Sequence, residues 1–147
     1  MSDVIIRSAV HGDIEAVEAV ISRAYAPWLA KIAELPDVAA GVPEDIADCR
    51  VWVAVEAQEI RGCLIGGPES GRWHVANVAV APDHGGKGVG RALMAFAVDQ
   101  ARREGLREMA LATHRDMPGN VNLYERLGWV VTDESGNKIM MKRRTDL

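Results

Sequence analysis

Cysteine is scarce. Cys49 and Cys63 are the two in 147 residues, and their separation suits neither a zinc knuckle nor a redox pair, so both are expected as reduced core residues. Nucleophile signatures are missing as well: there is no Gly-x-Ser-x-Gly elbow, and neither cysteine stands beside a histidine in the chain, which leaves nothing visibly built for covalent catalysis. The four histidines, His11, His74, His84 and His114, form no metal-ligand spacing with a cysteine or a carboxylate, and no metal is expected. No apolar run is long enough to span a bilayer, and the opening MSDVIIRSAV lacks the charged n-region and long apolar core of a signal peptide. A cytoplasmic protein without a membrane partner is expected. Basic charge is in the minority, with 17 Lys and Arg against 21 Asp and Glu for a net charge of −4, which argues against wholesale nucleic-acid binding. The local clusters Arg102-Arg103 and Lys142-Arg143-Arg144 read as solvated surface or helix-dipole partners.

What is present is an ordinary globular composition, 48% hydrophobic and 26% charged, in a length that suits one domain, residues 1–147, without repeats or a linker. The informative stretch runs from Ala76 to Leu93, ANVAVAPDHGGKGVGRAL. A strand-like run meets Pro82, then a loop with Gly85, Gly86, Gly88 and Gly90, then an amphipathic helix. Glycines let a backbone approach an anion, and the unpaired N–H groups at a helix start hold its charge, so a pyrophosphate or similar group is the expected ligand. Two familiar phosphate loops fail on their own mechanics. A P-loop needs Ser or Thr after Gly-Lys to ligate magnesium, and Gly88 stands after Gly86-Lys87; a dinucleotide loop read from Gly86 and Gly88 needs a glycine where Arg91 stands.

Val80-Ala81-Pro82 followed by Gly85-Gly86-Lys87-Gly88-Val89-Gly90 resembles the acyl-CoA loop of GNAT, the GCN5-related N-acetyltransferase family. Gly88 and Gly90 match the family pattern, and Gly85 stands where it usually has Gln or Arg. A second segment, Asn120-Val121-Asn122-Leu123-Tyr124-Glu125-Arg126-Leu127-Gly128-Trp129, is similar to the family's Asn…Leu-Tyr-Glu-Arg-Leu-Gly-Phe. Helical spacing puts Asn120, Leu123, Tyr124 and Leu127 on one face, with Gly128 as the stop. A tyrosine on such a face is usually core packing, and the motif is what raises Tyr124 above that reading.

The resemblance implies an α/β fold: a single GNAT-like domain whose mixed central β-sheet is flanked by helices and splayed to form the acyl-CoA cleft. It implies acetyl-CoA as acyl donor, an amine as acceptor, and direct transfer without an enzyme nucleophile. The expected cofactor contacts are Val78, Ala79 and Val80 for the pantetheine arm, Gly85, Gly86, Lys87, Gly88, Val89, Gly90 and Arg91 for the phosphates, and Asn120, Leu123 and Tyr124 near the thioester. A strand N–H could stabilise the thioester oxygen as charge develops. Tyr124, with a phenol reference pKa of roughly 10, is the candidate acid for a thiolate whose reference is roughly 8.5. His74 lies near the place where some relatives carry a glutamate base, although strand histidines are more often structural. The segment from Tyr25 to Asp48 would border the acceptor, with Tyr25, Trp28, Glu34, Asp37, Glu44 and Asp45 forming an acidic, aromatic rim suited to a cationic amine. A homodimer is compatible with all of this. The alternative is a non-catalytic acyl-CoA-binding regulatory module.

Local patterning supplies the elements. Strands are expected at 4–8, 51–56, 60–66, 73–80, 108–113, 129–132 and 138–142, with Ala57-Gln58-Glu59 and Asp133 to Asn137 as turns. Asp13 is expected to cap a helix carrying Ile14, Val17 and Ile21; Pro27 to begin a second helix ending before Pro36; and Pro43 to begin a short one. A Gly/Pro/Ser loop is expected from Gly66 to Gly71, and helices over 88–103 and 120–127. Hairpins alternating with helical crossovers imply a mixed sheet.

Overall fold

The computed structural model describes residues 4–29, 39–82, 88–115 and 118–146. Seven strands pair in the order β1-β2-β3-β4-β5-β7-β6, where β1 is Ile5–Ser8, β2 Val51–Glu56, β3 Glu59–Glu69, β4 Arg72–Val80, β5 Glu108–His114, β6 Val130–Ser135 and β7 Lys138–Arg144. The helices are α1 (Ile14–Leu29), α2 (Val42–Ala47), α3 (Val89–Arg103) and α4 (Pro118–Arg126). The sheet is mixed: β4 and β5 run parallel, whereas β1 with β2, β2 with β3, β5 with β7 and β6 with β7 run antiparallel. A parallel pair needs a long crossover, and α3 lies between β4 and β5 in the chain. No helix among the described residues is long and apolar enough to cross a membrane.

The chain divides into two compact units, Met1–Ile65 with Asn77–Phe96, and Gly66–Ala76 with Ala97–Leu147. In the first, Val17 and Ile21 of α1 and Val42 and Ile46 of α2 share a core with Val51, Val53, Cys63 and Ala79. The i, i+3, i+7 spacing of Ile14, Val17 and Ile21 thus turns the stripe the sequence foretold toward the core. Asp13 acts differently from expectation. It ends a short 3-10 turn, His11–Asp13, and its carboxylate accepts the Val10 N–H at 2.8 Å and meets the Arg7 guanidinium at 2.8 Å. The Arg7 hydrogen bond holds the Asp13 carboxyl below its ordinary range.

Pro27 begins no second helix. It lies inside α1, where its missing N–H costs one i→i−4 bond near the helix end without stopping the turn. Pro43 does stand in the first turn of α2, as expected. The β2–β3 turn is tighter than the sequence suggested: Ala57 (φ 52°) and Gln58 (φ 69°) alone make it, and Glu59 pairs with Glu56 inside the ladder. Two successive left-handed residues match the twist of a hairpin.

Cys63 is fully buried on β3. Burial pushes its thiol up to about 12. The sign follows: the raised value leaves full stability below the unfolded thiol's value of about 8.5, and stability falls as pH climbs from there toward the folded value. Cys49, by contrast, is exposed. A thiol reagent at pH 8 is therefore expected to label Cys49 at once and Cys63 only after unfolding; rapid labelling of both in the native chain would contradict the burial.

In the second unit, Trp73 and Val75 of β4, Ala97 and Ala101 of α3, Met109 and Leu111 of β5, and Trp129 and Met141 are buried. β5 and β7 pair from Glu108 opposite Arg144 to His114 opposite Lys138. The expected Gly66–Gly71 loop is mostly strand, since β3 continues to Glu69 and the turn is Ser70-Gly71. Gly66 is there for room: a Cβ on it would meet the Trp73 ring at 2.7 Å and the carbonyl of His74. A glycine demanded by a buried indole reads, in sequence, like a glycine that breaks a strand.

Candidate functional site

The first unit carries the strand–loop–helix. Ala79 is buried on β4 and its backbone N–H bonds the Cys63 sulfur, while the Ala81 N–H donates to the Arg61 carbonyl at 2.8 Å. Backbone groups alternate along a strand, so if Ala79 and Ala81 face β3, the N–H and C=O groups of Val78 and Val80 face the other edge. The registered ladder with β5 engages only Trp73, His74 and Val75.

Asp83, His84, Gly85, Gly86 and Lys87 lie outside the described residues. Gly88 follows them with φ +83°, and a Cβ on it would meet nothing within 4 Å. Its carbonyl accepts the Ala92 N–H at 2.9 Å, the first bond of α3. The amides of Val89, Gly90 and Arg91 precede any intrahelical partner, and the helix dipole adds its positive end there. The Val89 side chain is buried. A Cβ on Gly90 would lie 3.5 Å from Val80 Cγ2, an ordinary contact that seats the helix on the end of β4. Arg91 is exposed.

Tyr25 of α1 donates its hydroxyl to Asn77 Oδ1 on β4 at 3.0 Å. Burial, then the nearby Cys63, raises its pKa. The bond ties α1 to β4 through the Tyr25 hydroxyl. Of the other rim residues, Glu34 and Asp37 lie outside the described residues, as does the side chain of Trp28. Glu44 and Asp45 form the acidic first turn of α2, and burial raises the Asp45 carboxyl. The Tyr25–Asn77 bond joins residues 52 positions apart, and no periodicity could have signalled it.

The second unit carries Tyr124. Helix α4 closes with Gly128 at φ +95°; the Gly128 N–H reaches the Glu125 carbonyl at 3.1 Å and the Trp129 N–H reaches the Tyr124 carbonyl at 3.0 Å. This is a Schellman closure, and the apolar contact that accompanies it is the Tyr124 ring against Trp129, centroids 6.3 Å apart. Sequence thus places Tyr124 by two independent ties, one through its carbonyl and one through its ring. Asn120 reaches Thr113 of β5 at 3.4 Å. Leu123, on the same helix, is 38% exposed.

His74, opposite Ala110 in the β4–β5 ladder, lines a groove of about 280 Å³ together with Glu69, Ser70 and Arg72. Sequence reading missed these three because the turn composition around them resembled a plain loop. Arg72 pairs with Glu108 at 3.0 Å.

A mixed seven-strand sheet with helices, in which left-handed Gly88 stands at the start of α3, defines an α/β protein. The chain belongs to the Acetyltransferase (GNAT) family, whose model matches residues 17–129; the family's acyl donor is acetyl-CoA. Among curated proteins, the L-amino acid N-acyltransferase MnaT of Escherichia coli K12 is 39% identical over 56 residues, 38% of this chain and 33% of that protein. Streptothricin acetyltransferase of Streptomyces lavendulae is 34% identical over 95 residues, 60% of this chain and 49% of that protein. The chain therefore aligns with between a third and a half of the length of these relatives. Among solved structures, the PaiA N-acetyltransferase of Thermoplasma acidophilum in complex with coenzyme A shares the fold at a TM-score of 0.85 and 16% identity, over 97% of this chain and 99% of that one.

Proposed function

We propose that this chain is an acetyl-CoA-dependent N-acetyltransferase that passes the acetyl group directly to the amine of a small molecule. The observation that carries the reading is Gly88: a left-handed residue, on which a Cβ would meet nothing within 4 Å, immediately before the first turn of α3. The amides of that turn, from Val89 to Arg91, suit the pyrophosphate of the donor, with Gly85, Gly86 and Lys87 supplying the rest of the loop. Val78 and Val80, whose backbone groups face away from β3, suit the amides of the pantetheine arm, alongside Ala79. One of those strand N–H groups would hold the thioester oxygen as charge develops on it.

The chemistry then needs two proton movements. The amine lone pair forms the new C–N bond at the thioester carbon; as the C–S bond breaks, the electron pair leaves on sulfur and Tyr124 gives the thiolate its proton. The attacking nitrogen loses its own proton to a base, for which His74 is the candidate. Asn120 and Leu123 lie on the helix that carries Tyr124 and complete the proposed donor contacts. A small-molecule acceptor is favoured because the names of both curated relatives refer to small molecules, an L-amino acid and streptothricin. Both cysteines are unpaired thiols, which agrees with a reducing, cytoplasmic setting.

The test is to incubate the full chain with acetyl-CoA and a panel of amines, following thiol release and the acetylated amine by mass spectrometry. Amine-dependent release is expected. Tight coenzyme A binding with no transfer to any amine would instead mark a non-catalytic acyl-CoA-binding module.

A further inference from the structure

Alternate residues at the end of β4 are tied into the first unit, each by a different kind of bond. The Asn77 side chain accepts the Tyr25 hydroxyl at 3.0 Å, the Ala79 N–H bonds the sulfur of buried Cys63, and the Ala81 N–H meets the Arg61 carbonyl at 2.8 Å. The ladder of β4 with β5 ends at Val75, short of all three. A strand edge without a neighbour keeps a row of unpaired N–H and C=O groups, and few contacts leave such a segment free to open locally. Whatever fixes it must come from elsewhere in the unit.

The Asn77 tie is the one made by side chains at both ends. Tyr25 packs against the core shared by α1 and α2, and burial raises its pKa, so the hydroxyl keeps its proton and remains a donor. Asn77, half-buried, is thereby fastened to a helix that the core already holds. We propose that Tyr25 and Asn77 are positioning residues for the acyl donor: their bond fixes β4 in the extended form that presents Val78 and Val80 to the pantetheine arm. An extended chain of amides that adds to a strand edge draws its affinity from main-chain hydrogen bonds, and an edge fixed beforehand spares the complex the cost of ordering it. The proposal rests on the acetyl-CoA reading and adds the side chains that prepare the seat of the arm.

The experiment measures by calorimetry, on the full chain, the affinities for coenzyme A and for phosphoadenosine diphosphate, the same nucleotide without the arm. Tyr25→Phe keeps the ring and deletes the hydroxyl. It should weaken coenzyme A by about tenfold and leave the armless nucleotide within about twofold. Asn77→Ala breaks the bond from the strand side and should show the same selective loss, and the double variant should lose no more than either alone. Without ligand, hydrogen exchange at the Ala79 amide should quicken by about tenfold in both single variants, with the amides inside α3 unchanged. A merely structural bond would weaken both nucleotides alike or leave both variants unfolded, and either result overturns the proposal. Coenzyme A affinity that survives both substitutions overturns it too, while the acetyl-CoA reading stands. If the parent chain binds neither nucleotide, that reading fails and the proposal falls with it.

Discussion

Tyr124→Phe is expected to lower kcat by about a hundredfold, with kcat/KM falling in parallel and the affinity for acetyl-CoA nearly unchanged. General-acid contributions are typically ~10²- to 10⁴-fold, and a thiolate is a moderate leaving group, so the lower end applies. The substitution separates chemistry from packing because of how this residue is held. Its carbonyl accepts the Trp129 N–H in the helix closure, a backbone tie that phenylalanine keeps. Its ring lies against Trp129 at 6.3 Å and a 55° tilt, a contact that phenylalanine also keeps. Only the hydroxyl is lost. The melting temperature should therefore move little, and parallel losses in kcat and kcat/KM mark an interaction made in the transition state. Full turnover in Tyr124→Phe would remove the acid role and return the residue to structural duty at the end of α4. An unfolded variant would contradict the account of how the ring is held.

The features legible in the sequence are those set by local chemistry. The helix over 89–103 announced itself through Val89, Leu93, Phe96, Ala97 and Ala101, all buried except the half-buried Phe96, and the strand over 73–80 through its shortage of charge; it lies fourth in a seven-strand order. The stop at Gly128 was legible because a left-handed C′ residue is a local demand. Legibility failed where the folded chain rather than local composition decided the outcome. Gly66 read as a loop residue because only the folded β3–β4 hairpin lays the Trp73 ring against it. Pro27 read as a helix start because position alone does not say whether a stable turn already precedes it. Asp13 read as a cap because Arg7 and the Val10 amide, its actual partners, lie behind it in the chain. Among the candidate residues the division is the same: Gly88, Gly90 and Tyr124 belong to contiguous motifs, whereas the Tyr25–Asn77 bond and the groove beside Glu69 exist only after folding.

Gly88→Val is expected to weaken coenzyme A binding by at least about tenfold, roughly 1.4 kcal/mol. The cause is backbone conformation rather than a clash within the protein. Gly88 sits at φ +83°, and a Cβ there would touch nothing within 4 Å, so a folded variant can be made. Yet a β-branched residue resists the left-handed region, by ~1–2 kcal/mol, and the easiest relief is to rotate the peptide that leads into α3. That rotation turns the first amides of the helix away from their common focus, and the new methyl groups stand where an anion would approach. Gly90→Ala supplies the contrast. Its Cβ would lie 3.5 Å from Val80 Cγ2, an ordinary contact on a helical residue, so coenzyme A affinity should stay within about threefold. Calorimetry on the two folded variants, beside their melting curves, gives the decision. If Gly88→Val folds and binds coenzyme A as tightly as the parent chain, the phosphates do not sit on the start of α3, and the placement of the donor falls with that result.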